Sequence, residues 1–124
     1  MSNISGNKTV LIVEDDVKYR SILVKVLKAE GIKTETASNG EEALKKIWTG
    51  NRINLIILDL LMPKMSGWNF IYKIPDTPAK NIPILVLTNL TEYSVQSLPQ
   101  LEFMTKANVS ISDVVKRVKK RLML

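Results

Sequence analysis

The chain has 124 residues, and none of them is cysteine or histidine. Without cysteine there is no disulfide framework, no thiol nucleophile and no thiolate metal site. Without histidine there is no Ser-His-Asp triad, no imidazole general base and no imidazole zinc ligand. Long hydrophobic stretches are missing as well. Runs such as Val10-Leu11-Ile12-Val13 fall far short of the ~20 apolar residues that a bilayer-spanning helix needs. Met1 to Lys8 has no apolar segment of the signal-peptide kind and is expected to be a disordered tail. There is no internal repeat, low-complexity stretch or linker, so residues 9–124 are expected to form one domain, with the cytoplasm as its default location. A domain of this size buries roughly two thirds of its unfolded surface and needs no staple to fold. Any chemistry falls to carboxylates, lysine, hydroxyls and an oxygen-loving metal.

What is present is a series of short apolar runs separated by helical patterns. Val10 to Val13, Leu55 to Leu58 and Ile84 to Leu87 are continuously apolar, as in strands buried on both faces. Ile32 to Ala37 alternates polar and apolar and suits an edge strand, and Leu101 to Met104 is a plausible fifth strand. Tyr19, Ile22, Leu23, Val26 and Leu27 lie on one face of a helix that Gly31 ends. A second helix runs from Glu41 to Trp48, with Ala43, Leu44, Ile47 and Trp48 as its inner face. A short helix from about Trp68 to Ile74 stops at Pro75 and Pro78. Glu92 to Leu98 offers one or two helical turns before Pro99. Ser110 with Asp113 resembles a capping box before a last amphipathic helix that carries Val114, Val115, Val118 and Leu122. Strand and helix alternate five times, which predicts an α/β domain: a doubly wound, five-stranded parallel sheet of order 2-1-3-4-5.

Each buried strand ends, at its carboxyl side, on a residue with possible chemistry. The first leads into Glu14-Asp15-Asp16, the second into Asp59, the third into Thr88 and the fifth into Lys106. Ligands of open α/β sheets bind at those ends, at the topological switch point. In the order 2-1-3-4-5, strands 1 and 3 are neighbours there, so the acidic cluster faces Asp59. Carboxylates crowded together require neutralisation, and an all-oxygen ligand set selects a hard cation, Mg²⁺ or Mn²⁺. Lys106 supplies a fixed positive charge and Thr88 a hydroxyl. A carboxylate with a metal, a lysine and a hydroxyl around it suits phosphoryl transfer to Asp59.

Five segments in order carry a family resemblance: Val-Leu-Ile-Val-Glu-Asp-Asp (10–16), Ala-Ser-Asn-Gly-Glu-Glu-Ala-Leu (37–44), Asp-Leu-Leu-Met-Pro-Lys-Met-Ser-Gly (59–67), Ile-Pro-Ile-Leu-Val-Leu-Thr (82–88) and Lys106. From about residue 9 to the end, the chain resembles the response-regulator receiver domain of two-component signalling, of the chemotaxis-regulator-like, flavodoxin-like kind. The resemblance implies that Asp59 is the phospho-acceptor. It implies a Mg²⁺ site of Asp15, Asp59 and the backbone carbonyl of Leu61, with Glu14 as an indirect member. Thr88 resembles the switch hydroxyl, Lys106 the lysine that pairs with the phosphoryl group, and Phe103 the switch aromatic. A sensor histidine kinase or histidine phosphotransfer protein is the implied donor. An output protein of unknown identity and a homodimer are compatible with the family. Asp16 matches no family role and suits a helix N-cap.

The chain departs from the family pattern in four respects. Ala107 stands where a proline, with a cis bond to the lysine, is usual, and a cis bond to alanine would cost about 2.5–4 kcal/mol. Asn89 stands where a small residue is usual, and could narrow access to Asp59. Leu61 and Leu90 are apolar where they would hinder an attacking water, which predicts a long-lived phospho-state. The segment from Thr88 to Lys106 is short by about a helical turn, so the fourth helix is expected to be abbreviated or irregular. The leading reading is a stand-alone receiver that signals by a conformational switch, catalysing only its own phosphorylation and dephosphorylation. One alternative is a degenerate receiver, a protein-binding module that no longer cycles phosphate. Another starts from the net charge of +6 and from Lys116, Arg117, Lys119, Lys120 and Arg121 on the last helix, opposed there only by Asp113. Such a face attracts phosphates, which makes a nucleic-acid-binding protein a lesser reading. A phosphohydrolase would want an aspartate where Leu61 stands.

Overall fold

A computed structural model describes residues 8–50, 52–89 and 100–124. It contains β1 (Thr9–Val13), α1 (Val17–Ala29), β2 (Lys33–Ala37), α2 (Gly40–Trp48), β3 (Leu55–Leu58), α3 (Gly67–Lys73), β4 (Ile84–Thr88), β5 (Leu101–Thr105) and α4 (Ile111–Arg121). Single 3₁₀ turns follow α3 at Ile74–Asp76 and β5 at Lys106–Asn108. The strands form one parallel sheet of order β2-β1-β3-β4-β5, the order expected from the alternation of elements. The expected disordered tail lies outside the described residues except for Lys8, whose carbonyl accepts the Lys33 N–H at 3.0 Å. The expected helical turns at Glu92 to Leu98, and Leu90, also lie outside them.

Strand hydrophobicity follows position in the sheet. β1, β3 and β4 are central, and their apolar residues are buried on both faces. β2 is an edge strand and only Ala37 in it is buried. Side chains alternate across the sheet and divide the core in two. On one face Leu11, Val13, Ile56, Leu58 and Val86 pack with Ala43 and Ile47 of α2 and Phe70 and Ile71 of α3. On the other, Val10, Ile12, Leu55, Ile57, Leu85 and Leu87 pack with Leu23 and Leu27 of α1 and Val114 and Val118 of α4.

The helix boundaries have local causes. Asp16 caps α1 by accepting the N–H groups of Lys18 and Tyr19. At the other end Gly31, at φ 77°, donates its N–H to Lys28 and Ile32 donates to Leu27, a Schellman closure that needs the left-handed residue. Asn39 caps α2, Ser66 caps α3, and Ser110 with Asp113 makes a reciprocal capping box on α4. Trp48, expected on the inner face of α2, is instead 61% exposed. It sits one position past Ile47 in the last turn, where the helix surface has rotated away from the sheet.

The basic face of α4 is more heavily paired than its own sequence implies. Arg117 and Arg121 both bridge to Glu102 of β5, and Lys119 bridges to Glu30 beside α1 at 2.8 Å. The sequence expectation counted acids on the helix alone, whereas these partners arrive from other elements.

Candidate functional site

The carboxyl ends of β1, β3, β4 and β5 converge as the sheet order requires. β1 and β3 pair in register, Val13 opposite Leu58, so Glu14 and Asp59 are each the next residue of adjacent strands. Asp59 also donates its N–H to the Val13 carbonyl at 3.1 Å, which ties the two ends together. Carboxylate oxygens of Glu14, Asp15 and Asp59 lie within 4.8 Å of one another. Glu14 and Asp59 are buried, at 3% and 7% exposure, whereas Asp15 is exposed.

Lys106 enters this cluster from the far edge of the sheet. Its Nζ donates to Asp59 Oδ2 at 2.9 Å and also to Glu14 Oε1. The same Nζ lies 4.4 Å from the centroid of the Tyr19 ring on α1, a cation–π contact. One ammonium therefore sits between two buried carboxylates under an aromatic ring. Burial raises the Glu14 carboxyl to about 7, outweighing the hydrogen bonds from Lys106 and the Asp16 N–H, which favour its ionised form. Burial works against the Lys106 ammonium too, but its hydrogen bonds to Glu14 and Asp59 outweigh that and hold its pKa above the usual value. Burial also raises the Tyr19 phenol.

Hydrogen bonds from loops orient the acidic groups. Leu61 donates its N–H to Asp59 Oδ1 at 3.1 Å, so each Asp59 oxygen has one donor and keeps room for another. Asp16 donates its N–H to Glu14 Oε2 at 3.1 Å, and the Arg20 guanidinium donates to the Glu14 carbonyl at 2.8 Å. Gly67 packs against the backbone beneath Asp59. A Cβ there would lie 2.6 Å from the Asp59 carbonyl oxygen and 2.6 Å from Leu60 Cα, so only glycine fits.

The remaining expected residues have definite places. Thr88 is buried at 1% exposure, at the end of β4, two residues beyond the partner of Leu58. Phe103 is half-buried on β5 opposite Val86, and its ring packs on Trp68 with centroids 6.3 Å apart. Leu61 is 55% exposed, in the loop after Asp59. The Lys106–Ala107 peptide is trans, which resolves the question raised by the missing proline. Its N–H, which a proline would lack, is donated by Ala107 to Asn89 Oδ1 at 2.9 Å. Sequence reasoning placed Tyr19 only on a core-facing helix stripe, gave Trp68 no role, and treated Asn89 as an obstruction. Nothing in linear spacing signals contacts between residues 87 or 18 positions apart; only the packed ends of the strands bring them together.

The metal question turns on donor chemistry. Three carboxylates, no thiolate and no imidazole make a hard, oxygen-only site, which fits Mg²⁺ or Mn²⁺.

The model of the response regulator receiver domain matches residues 10–116, most of the chain. The chain belongs to the response-regulator receiver family. Among solved structures, the response regulator TrrA of Thermotoga maritima, in complex with Mg²⁺ and BeF, is 33% identical; the alignment covers 92% of this chain and 98% of that one with a TM-score of 0.76. A receiver domain of a histidine kinase from Syntrophus aciditrophicus is 30% identical over 94% of this chain and 90% of that one, with a TM-score of 0.81. Among curated proteins, the probable transcriptional regulator ycf27 of Cyanidium caldarium is 45% identical over 83 residues, 67% of this chain and 32% of that protein. The receiver thus spans about a third of the length of such regulators. No helix among the described residues is long and apolar enough to cross a membrane.

Proposed function

We propose that this receiver accepts a phosphoryl group on Asp59, in a Mg²⁺-dependent reaction, from a sensor histidine kinase or histidine phosphotransfer protein. The observation that carries the reading is Lys106 Nζ held between Asp59 and Glu14, with the Asp15 carboxylate within 4.8 Å of both acids. Asp59 attacks phosphorus through a carboxylate oxygen, the donor's P–N bond breaks, and the imidazole leaves with the bonding pair. These 124 residues include no histidine, so a donor imidazole lies outside them.

The chain's own residues orient and balance charge. Leu61 N–H fixes one Asp59 oxygen, which aims the carboxylate. Lys106 contacts Asp59 and would meet a phosphoryl oxygen there. Asp15, Asp59, the Leu61 carbonyl and, indirectly, Glu14 would hold the metal, which would offset negative charge on the phosphoryl oxygens. Thr88 and Phe103 would carry the switch. Phosphorylation would change the surface that an output protein or a second copy reads. The domain acts as a signalling module rather than an enzyme on other substrates, and works in the cytoplasm beside its donor.

Incubation with Mg²⁺ and phosphoramidate or acetyl phosphate, read by intact mass, tests the reading. A gain of one phosphoryl group in the wild type that is absent in Asp59→Asn is the expected result. No gain in the wild type would favour the degenerate, protein-binding receiver instead.

A further inference from the structure

Lys106 poses a problem of reach. It follows β5, an edge strand, and its ammonium meets Asp59 after β3 and Glu14 after β1. Neighbouring strands are about 4.8 Å apart, so the β5 axis lies about 10 Å from β3 and about 14 Å from β1. A lysine side chain spans about 6 Å and its hydrogen bond about 3 Å more, and the acid side chains cover the rest. The two contacts leave little slack, so they depend on where the backbone just past the ends of β4 and β5 is held.

Asn89 stands at that point. It directly follows Thr88, the last residue of β4, which pairs with Thr105, the last residue of β5. Its side-chain carbonyl accepts the Ala107 N–H at 2.9 Å. The bond spans the two strand ends and fixes the peptide plane immediately after Lys106. Lys106–Asn108 forms a single 3₁₀ turn with no side-chain cap at its start, and Asn89 is exposed, so this tether is not a by-product of core packing. Asn89 and Ala107 are also two of the positions at which the sequence departs from the receiver pattern, and they are the two ends of one bond.

We propose that Asn89 is a positioning residue for Lys106: by accepting the trans Ala107 N–H it holds the backbone after β5 to the end of β4 and so sets the ammonium at Asp59. For phosphorylation the inference rests on the phospho-acceptor reading above. The tether itself does not.

Two measurements on the full chain test it. The first is amide hydrogen exchange at Ala107 by NMR, in wild type, Asn89→Ala and Asn89→Asp. Exchange at least ten-fold faster in Asn89→Ala, restored toward wild type in Asn89→Asp, which keeps an acceptor, is the expected result. Equal exchange in wild type and Asn89→Ala overturns the proposal, whether or not the chain takes up phosphate. The second is the initial rate of phosphoryl uptake from phosphoramidate with Mg²⁺. Asn89→Ala should lower it about three- to ten-fold, the worth of one hydrogen bond. Lys106→Met should lower it further, and the double variant should be no slower than Lys106→Met alone. Additive losses would mean that Asn89 acts independently of Lys106 and would overturn the proposal. A wild type that takes up no phosphate, with a protected Ala107 amide, fails the phospho-acceptor reading and sustains the tether.

Discussion

Glu14 should make the metal-free receiver lose stability as pH rises through neutrality. Its carboxyl is 3% exposed, and burial lifts it from an ordinary 4.5 to about 7 in the folded state. The folded chain therefore binds a proton more tightly than the unfolded chain between those two values. Stability from this group is fully present below about 4.5 and is lost as pH rises through about 7. The difference of roughly 2.5 between folded and unfolded values corresponds to about 3 kcal/mol. The assay is urea unfolding in EDTA at pH 5 and pH 8, for wild type and Glu14→Gln. Glutamine keeps the shape and cannot ionise. The stability of the wild type relative to the variant should fall by about 2–3 kcal/mol between the two pH values. Parallel profiles would refute the reasoning. A relative gain with rising pH would mean that pairing with Lys106 outweighs burial.

Four further outcomes follow from contacts at the site and elsewhere in the fold. Gly67→Ala forces a Cβ into the backbone of Asp59 and Leu60 and should cost about 1–3 kcal/mol in urea unfolding. Gly40→Ala meets only the flexible Met65 side chain and should cost clearly less. Tyr19→Leu and Lys106→Met, combined in a double-mutant cycle on stability, should show a coupling of about 0.5–1 kcal/mol from the cation–π contact, and zero coupling would contradict it. Ser110→Ala breaks the capping box of α4 and should lower stability by about 1 kcal/mol, measured by thermal or urea melts.

The architecture was legible because burial leaves a mark on each strand. Leu55 to Leu58 reads as central and Ile32 to Ala37 as edge from the apolar pattern alone, and the sheet order agrees. The meeting of Glu14, Asp15, Asp59 and Lys106 was legible for a related reason, since each ends or follows a strand and parallel strands end on one side. What was not legible depends on the approach of distant side chains. The Tyr19 ring over Lys106, the Phe103–Trp68 contact and the Asn89 tether join elements whose separation in sequence says nothing of their distance in space. The charge on α4 was misjudged in the same way, because Glu102 and Glu30 belong to other elements.

The central claim is that Asp59 becomes an acyl phosphate. Borohydride reduction after treatment with phosphoramidate and Mg²⁺ tests it most directly, because the reduction converts an aspartyl phosphate to homoserine at the modified position. Peptide mass spectrometry should find homoserine at residue 59 and nowhere else, and none when the phospho-donor is omitted. Homoserine at Asp15 or Asp16, or unmodified Asp59 in a chain that has gained a phosphoryl group, would contradict the account.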